Sequence, residues 1–453
     1  MADITTVVGA SGQTFAVTVD GAQAKTLAGL YSSAVAGLKS SAHYDLTSGS
    51  NSITGGSAAQ GLISSGGYYT INGELGYIAA GSYGDSSNPQ DTLNSGVAID
   101  LRNNTASSVS VLAGDQAGVT VYAGDQSGSF VGGLGDNVFL GSGKTGSWNV
   151  ATGSGNDTIL GTNGNSTIDG GTGDNLIYLG SGTNVVRSEG QDTIDGGGGV
   201  DTVTLLGGSS VVSLQNNATV YDTTGHNDVT VGSNSSITGG SSSTYFTTGS
   251  MSTISGGQND TISASGDLEQ IRGSGNNLSV GGSLTFLNGT GSTTITAGNA
   301  TLFGASGQDI QYTGTSGTAL YVAGDGSETI DASASKTAIN AFAGTGDDTI
   351  IGGSAADTMV GGSGNATLTG GSGAANLFAL VDGKAGGDYT ITDFGSAAGN
   401  LVALYNYGLN SNTLQTVLND ATVSGGNTTI ALSDNSKITF VGVTDLKTSN
   451  FTG

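Results

Sequence analysis

Residues 153–179 read GSGNDTILGTNGNSTIDGGTGDNLIYL, and one apolar residue recurs here at every ninth position. The pattern continues to residue 203, in steps of nine, nine, nine, eight and nine. The recurring residues are Ile159, Ile168, Ile177, Val186, Ile194 and Val203. Each stands four residues after a glycine, so turns and short apolar segments alternate. A fixed short period is the signature of stacked repeats that bury their apolar side chains against one another. The stretch therefore predicts a β-solenoid.

The spacing persists beyond this stretch. Apolar residues stay eight or nine apart as far as residue 280, and steps of nine return from residue 350 to residue 377. They are Val212, Val220, Val229, Ile237, Phe246, Ile254, Ile262, Ile271 and Val280, then Ile350, Met359, Leu368 and Leu377. Nine residues allow one strand and one turn, so a coil takes about 18 residues with two strands or about 27 with three. We expect an all-β chain, a right-handed parallel β-roll or β-helix of either coil size.

The composition fits a folded repeat. The 453 residues include 83 Gly and one Pro, a content that alone is compatible with disorder. Disordered sequence has no reason to place Ile or Val at every ninth position, whereas coils that bury one strand per repeat do. Gly, Asn, Asp and Ser then serve the turns, where positive φ or side-chain bonding to the backbone is needed.

The charge is strongly acidic. A net charge of −25, from 35 acidic and 10 basic residues, argues against a nucleic-acid partner, because phosphate binding needs clustered Lys and Arg. Such a surface can recruit divalent cations, or it can serve solubility alone. The absence of cysteine excludes disulfides and thiolate metal sites. No stretch approaches the roughly 18–20 apolar residues of a membrane span, and no N-terminal secretory signal is recognisable.

Composition divides the chain into three regions. We expect an N-terminal capping or assembly region at 1–110, a solenoid of degenerate repeats at 111–380 and a C-terminal β-rich module at 381–453. Residues 22–38 have apolar residues at helical spacing. We expect this helix to cover the open end of the solenoid or to dock on a neighbouring subunit. Its apolar face would consist of Leu27, Leu30, Tyr31, Ala34, Val35 and Leu38.

Four phrases resemble the glycine- and aspartate-rich nonapeptide GGxGxDxUx of the RTX family of secreted proteins, where U is a large apolar residue. They are GSGNDTIL (153–160), GGGGVDTVTL (196–205), GTGDDTII (344–351) and GGSAADTMV (352–360). The resemblance implies that calcium lies between turns stacked one coil apart, held by glycine carbonyls and aspartate carboxylates.

The candidate calcium ligands stand two residues before the apolar position. They are Asp157, Asn175, Asn184, Asp192, Asp201, Asp260, Asp348 and Asp357. In an 18-residue coil the facing pairs are Asp157 with Asn175, Asn175 with Asp192, Asn184 with Asp201, Asp348 with Ala366, and Asp357 with Ala375. None of them pairs two aspartates, so we expect few calcium ions or none, and a solenoid held largely by its own packing. The alternative is that these side chains only satisfy the backbone of the turns.

The C-terminal region resembles the end of proteins exported by type I secretion systems. The residues that carry this resemblance are ITDFG (391–395), NLVALYNYG (400–408) and DLKTSNFTG (445–453). It implies an uncleaved C-terminal signal and an extracellular or cell-surface location. Within this region we expect a short helix at 413–419 and a hairpin at 427–443, with its turn at Asp434–Asn435.

We expect no enzymatic activity, because His43 and His226 each stand alone in polar sequence. A carbohydrate site would require four distant residues to meet on one face, namely Arg187, Glu189, Glu269 and Arg272.

We therefore predict a secreted structural protein that self-assembles, end to end or side by side, into a filament, surface layer or biofilm matrix. Its partners would be further copies of itself, divalent cations and a cell-surface or matrix polysaccharide. Two alternatives are a calcium-dependent adhesin that acts as a monomer and a polysaccharide-acting β-helix enzyme.

Overall fold

The computed structural model describes residues 3–8, 12–84 and 93–452. The chain forms two compact units, Met1–Ile237 and Thr238–Gly453, and each contains a parallel β-solenoid. The described residues contain two α-helices, neither of which has the length and apolar content to cross a membrane.

Unit 1 begins with two antiparallel strands and a helix, β1 (Asp3–Val8), β2 (Thr14–Val19) and α1 (Ala22–Val35). Its other strands are β3 (His43–Asp45), β4 (Gly49–Ile63), β5 (Gly67–Ala80), β6 (Ser82–Tyr83), β7 (Val97–Asp100), β8 (Ser108–Ala113), β9 (Val119–Tyr122), β10 (Ser127–Gly133), β11 (Val138–Leu140), β12 (Trp148–Gly153), β13 (Thr158–Leu160), β14 (Thr167–Asp169), β15 (Leu176–Tyr178), β16 (Asn184–Ser188), β17 (Thr193–Asp195), β18 (Asp201–Leu205), β19 (Val211–Ser213), β20 (Thr219–Asp222) and β21 (Asp228–Val231).

The division between the units falls within β22 (Ser236–Ser241). Unit 2 continues with β23 (Thr244–Thr247), β24 (Ser252–Gln258), β25 (Thr261–Ala264), β26 (Leu268–Ile271), β27 (Asn277–Val280), β28 (Leu284–Leu287), β29 (Gly291–Ala297), β30 (Ala300–Phe303), β31 (Gln308–Gly314), β32 (Ala319–Val322), β33 (Thr329–Asp331), β34 (Ile339–Phe342), β35 (Asp347–Ile351), β36 (Thr358–Val360), β37 (Asn365–Thr369), β38 (Leu377–Val381), β39 (Asp388–Ile391), β40 (Leu401–Tyr405), α2 (Ser411–Asn419), β41 (Thr422–Ser424), β42 (Asn427–Ala431), β43 (Lys437–Phe440) and β44 (Phe451–Thr452).

From β7 to β38, within each unit, a strand pairs with the second strand after it, so each coil contributes one strand to each of two parallel sheets. Register partners stand 20, 18 and 17 residues apart along Phe139, Ile159, Ile177 and Ile194. The coil is therefore the two-strand coil and not the 27-residue one. In the three-residue strands between β11 and β36 the middle residue points inward and is buried, as Ile159 and Ile177 show at 0% exposure. Burial of each such side chain contributes about 1.5–3 kcal/mol.

Parallel pairing begins at His43, where β3 pairs with β4, and so lies N-terminal to residue 111 as well. The strand β5 is long, and its two halves pair separately with β7 and with β8. The division into regions 1–110, 111–380 and 381–453, with the roles expected of each, stays a prediction.

The helix α1 lies across the outer side of one sheet, where it contacts the successive strands β8, β10 and β12. The expectation that this helix caps the open end of the solenoid or docks on a neighbouring subunit stays a prediction. The buried side chains of α1 are Ala24, Ala28, Tyr31 and Val35, whereas the predicted Leu30 is 63% exposed. The helix thus approaches the sheet through two alanines, whose small side chains permit close contact with Leu112, Val131 and Ala151.

In unit 2 the inward residue differs from the predicted one at three places. Tyr245, Gln270 and Phe378 are buried, where the nine-residue spacing predicted Phe246, Ile271 and Leu377. Since side chains alternate between the two sides of a strand, a one-residue change in turn length moves the inward position to a neighbour. The predicted C-terminal helix and hairpin are confirmed, since α2 begins at Ser411 and the antiparallel hairpin β42–β43 has Asn435 at φ 71° in its turn.

Stacked turns approach so closely that some glycines have no room for a side chain. A Cβ added at Gly199 would lie 1.7 Å from the carbonyl oxygen of Gly182 in the preceding coil, whereas one at Gly198 meets nothing within 4 Å. We expect Gly199→Ala to lower the free energy of unfolding by more than about 2 kcal/mol and Gly198→Ala to change it by less than about 0.5 kcal/mol. Denaturant unfolding followed by circular dichroism measures both. Equal effects of the two variants would contradict this packing of the turns.

Candidate functional site

The candidate ligands lie inside the coils. Each precedes an inward apolar residue by two positions, and residues two apart on a strand point to the same side. All eight are therefore buried, between 1% and 2% exposed, and they are Asp157, Asn175, Asn184, Asp192, Asp201, Asp260, Asp348 and Asp357.

Their oxygens accept hydrogen bonds from the backbone of the neighbouring coil. The backbone N–H of Asn137 donates to Asp157 Oδ1 at 2.6 Å, that of Asp157 to Asn175 Oδ1 at 2.8 Å, and that of Asn175 to Asp192 Oδ1 at 2.9 Å. The series continues through Ser210 and Asn227. We call this series, Asn137, Asp157, Asn175, Asp192, Ser210 and Asn227, the inner polar ladder.

Two predicted pairs belong to this ladder, Asp157 with Asn175 and Asn175 with Asp192. A third predicted pair also forms, because Asn184 Nδ2 donates to Asp201 Oδ1 at 2.9 Å on the opposite side of the coil. In unit 2 Asp260 occupies the same kind of position, and its Oδ1 accepts from the backbone N–H of Ser243 at 2.9 Å.

Asp348 pairs with Ala366 by strand register, as predicted. The predicted pair of Asp357 with Ala375 is wrong. The backbone N–H of Asp357 donates to Asn376 Oδ1 at 2.9 Å, and Met359 stands opposite Phe378. The coil here has 19 residues, one more than the spacing assumed, so the facing residue is an amide and not an alanine.

Burial makes ionisation of these carboxyls costly. It raises the pKa of Asp157 to about 6, although the backbone and side-chain N–H groups of Asn137 partly offset the effect. Burial also raises the pKa of Asp192, Asp201 and Asp357. Within the described residues, Oδ2 of Asp157 and Oδ2 of Asp192 are buried and have no hydrogen-bond partner.

The sequence analysis missed a pair of facing carboxylates, Glu328 and Asp348. Glu328 is 2% exposed, and its backbone N–H donates to Asp348 Oδ1 at 3.1 Å. Within the described residues both carboxylate oxygens of Glu328 are buried and lack a hydrogen-bond partner. Burial, and next the Asp348 carboxylate, raise the pKa of Glu328 to about 7. The signal was available in AGDGSETI (323–330), which keeps the glycine and isoleucine spacing with Glu in place of Asp.

This facing pair fits a calcium ion better than any other turn described above. Calcium takes six to eight oxygen ligands, and carboxylates contribute most of the charge. Glu328 and Asp348 would hold the ion with backbone carbonyls, and the ion would supply the positive charge that the orphaned oxygens lack. No group of three or more Asp, Glu, His or Cys side chains able to hold a metal occurs within residues 3–8, 12–84 and 93–452.

Of the four charged residues considered for a carbohydrate site, Arg187 and Glu189 form an ion pair, and Glu269 accepts a hydrogen bond from the Thr253 hydroxyl at 3.2 Å. Arg187 pairs with Glu189 and, at 3.5 Å, with Asp169, beside a cavity of about 340 Å³ at the N-terminus of α1. His43 contacts Gln60, and His226 is exposed.

We expect the free energy of unfolding in a calcium chelator to fall as the pH rises from about 4 to about 7. The folded protein keeps protons on Asp157 to about pH 6 and on Glu328 to about pH 7, whereas the unfolded chain loses them near pH 4. The folded state therefore binds more protons in this window, and stability decreases with rising pH. Asp157→Asn and Glu328→Gln should each remove about 2–3 kcal/mol of this dependence, measured by denaturant unfolding.

Asp136→Asn is the matched control for these two variants. Asp136 is exposed, and its Oδ1 accepts from the backbone N–H of Asn156 at 2.8 Å, which an amide oxygen can also do. If Asp136→Asn flattened the pH dependence equally, net charge and not burial would be its cause.

A family model for the RTX calcium-binding nonapeptide repeat (4 copies) matches residues 152–186, 188–212 and 340–368. The matched segments contain most of the candidate ligands and end before the C-terminal module. Comparisons with curated proteins and with solved structures find no match. RTX nonapeptide repeats bind calcium. The family match agrees with the stacked glycine-rich turns and with the inward acidic and amide side chains. The chain is therefore an RTX-like repeat protein.

Proposed function

We propose that this protein is a secreted structural protein whose copies associate side by side. RTX calcium-binding repeats in a β-solenoid fit a structural or adhesin-like secreted protein, and such solenoids are typical of non-enzymatic proteins. We propose in addition that the copies associate with one another through one surface of unit 1.

That surface is the outer side of the sheet formed by β9, β11, β13 and β15. Its outward side chains alternate with the buried Phe139, Ile159 and Ile177. Six of them are apolar and half-buried or exposed, and we call them the uncharged face: Tyr122, Val138, Leu140, Leu160, Leu176 and Tyr178. These four strands contain no Asp, Glu, Lys or Arg.

The charge of the molecule explains why this face is the place of contact. At a net charge of −25, copies repel one another over most of their surface. Contact through the uncharged face avoids that repulsion and removes apolar area from water, worth about 25 cal/mol per Å². Rungs about 4.8 Å apart in every copy also give two such faces a common spacing.

The strand edges of unit 2 favour side-by-side over end-to-end contact. Its ladders run into β41 and β44, with three and two residues, whereas in unit 1 one sheet begins with the three-residue β3 and the other with Gly49–Ile53 of the longer β4. Short edge strands are a common way to prevent pairing with another chain.

We expect full-length protein to form ordered assemblies in negative-stain images, with calcium and with chelator. Leu140→Asp and Leu160→Asp place charge on the uncharged face and should raise the concentration needed for assembly at least about tenfold, which corresponds to about 1.4 kcal/mol. Val185→Asp, at a residue 46% exposed on the other sheet, is the control with the same charge change. Monodisperse wild-type particles under both conditions would refute self-association.

We also propose that Glu328 and Asp348 are calcium ligands. Glu328→Gln and Asp348→Asn should each weaken the binding of calcium at this turn at least about tenfold, measured by calorimetry on the full chain. Asp420→Asn, at an exposed residue after α2, should leave binding unchanged. Unchanged calcium affinity in both ligand variants would contradict the assignment.

An adhesin acting as a monomer is the second candidate, because one exposed cluster suits a glycan. The rings of Tyr68 and Tyr122 lie 5.9 Å apart, Arg102 lies 5.2 Å from the Tyr122 ring, and Asp100 accepts from Tyr68 at 2.7 Å. Aromatic faces beside a fixed charge pair can stack on sugar rings and bond their hydroxyls. Monomeric particles that bind a polysaccharide would favour this candidate.

A further inference from the structure

We infer that asparagine side-chain amides take the place of calcium ions in the central coils of unit 1, so that these coils fold without the ion. The inference does not depend on self-association. It starts from the oxygens that surround each inward amide nitrogen.

Asn137 gives the clearest geometry. Its side chain is fully buried, and Nδ2 donates to the carbonyl oxygen of Gly135 at 2.9 Å, to that of Thr152 at 3.0 Å and to Asp157 Oδ1 at 3.1 Å. Three oxygens from two successive coils therefore converge on one nitrogen. Turn carbonyls together with a carboxylate from the adjacent coil are the kind of oxygen set that calcium prefers.

The same arrangement recurs at other asparagines. Asn184 Nδ2 donates to the carbonyl oxygen of Gly182 at 3.2 Å and to Asp201 Oδ1 at 2.9 Å. Asn175 Nδ2 donates to Asp192 Oδ1 at 2.9 Å. In each case the amide hydrogens supply the positive partial charge that a cation would otherwise provide, at hydrogen-bond distances rather than calcium distances.

The order of residues makes this possible. Along the inner polar ladder Asn137, Asp157, Asn175 and Asp192 alternate. Asp157 therefore lies between two amides, and Asp192 lies between the amide of Asn175 and the hydroxyl of Ser210. Only half of these four positions carry a carboxylate, and like charges are never direct neighbours. The facing carboxylates of Glu328 and Asp348 have no such amide between them. This difference distinguishes the turn that suits calcium from the central coils of unit 1, which do not need the ion.

Hydrogen exchange read by mass spectrometry on the full chain tests the inference, with millimolar calcium and with chelator. We expect wild-type peptides covering residues 137–231 to keep their protection in chelator, within about twofold. Asn175→Asp and, independently, Asn137→Asp place two carboxylates in adjacent coils. Each should lose at least about tenfold protection locally in chelator and regain it with calcium. Asn156→Asp is the control, because Asn156 lies in an exposed turn and its Oδ1 only accepts, from the backbone N–H of Asp174 at 2.9 Å.

Loss of protection in wild-type residues 137–231 on chelation would overturn the inference directly, whatever the variants do. Protection of both variants that is the same with and without calcium would also overturn it, because the amide would then not stand where an ion can bind. A response of Asn156→Asp as large as that of Asn175→Asp would attribute the effect to net charge and would likewise contradict it.

Discussion

Each coil of the central solenoid turns a backbone N–H toward its interior, where no water can accept the hydrogen bond. A buried amide without a partner costs free energy comparable to a lost hydrogen bond, so each turn needs an inward oxygen at a fixed place. Asp157, Asn175, Asp192 and Ser210 supply that oxygen in successive coils. The requirement is for an acceptor and not for a charge. Aspartate, asparagine and serine therefore interchange at this position while the register of the sheets is preserved.

That tolerance has an electrostatic side. A chain with 35 acidic residues and 10 basic ones could not stack a carboxylate in every coil without strong repulsion in a medium of low dielectric constant. Amides at some of these positions reduce the number of buried carboxylates, and their N–H groups donate hydrogen bonds to the carboxylates that remain. No amide separates the carboxylates of Glu328 and Asp348, which face each other in adjacent coils. Burial together with this like charge raises the pKa of Glu328 to about 7. The same repeat position thus holds an amide in some coils and a carboxylate in others, and we propose that a cation acts where two carboxylates face each other.

The nine-residue period was enough to predict a parallel solenoid with an inward apolar ladder, but it left the two-strand and the three-strand coil open. For the two-strand coil it also predicted the facing pairs, four of which form. It failed where turn length changes by one residue, because alternation then transfers the inward role from Ala375 to Asn376 and from Leu377 to Phe378. The period does not point to Glu328 when only aspartate is treated as a calcium ligand, although Glu328 keeps the same spacing to the next inward isoleucine. The position of α1 was not predictable from its own pattern, because the sheet it covers accepts alanines where leucines had marked the apolar face.

The inner polar ladder gives the solenoid a direction. Along the ladder the Oδ1 or Oγ atom accepts from the coil that precedes it in the sequence, as Asn175 accepts from Asp157. The same direction holds for Asn400, which accepts from Asn376. The two ends of such a stack are therefore not equivalent. A coil without a successor leaves an inward backbone N–H without its acceptor, whereas a coil without a predecessor leaves only an acceptor without its donor. Because an orphaned buried N–H is rarer in proteins than an under-satisfied acceptor, the C-terminal end of a stack is the end that needs a covering segment.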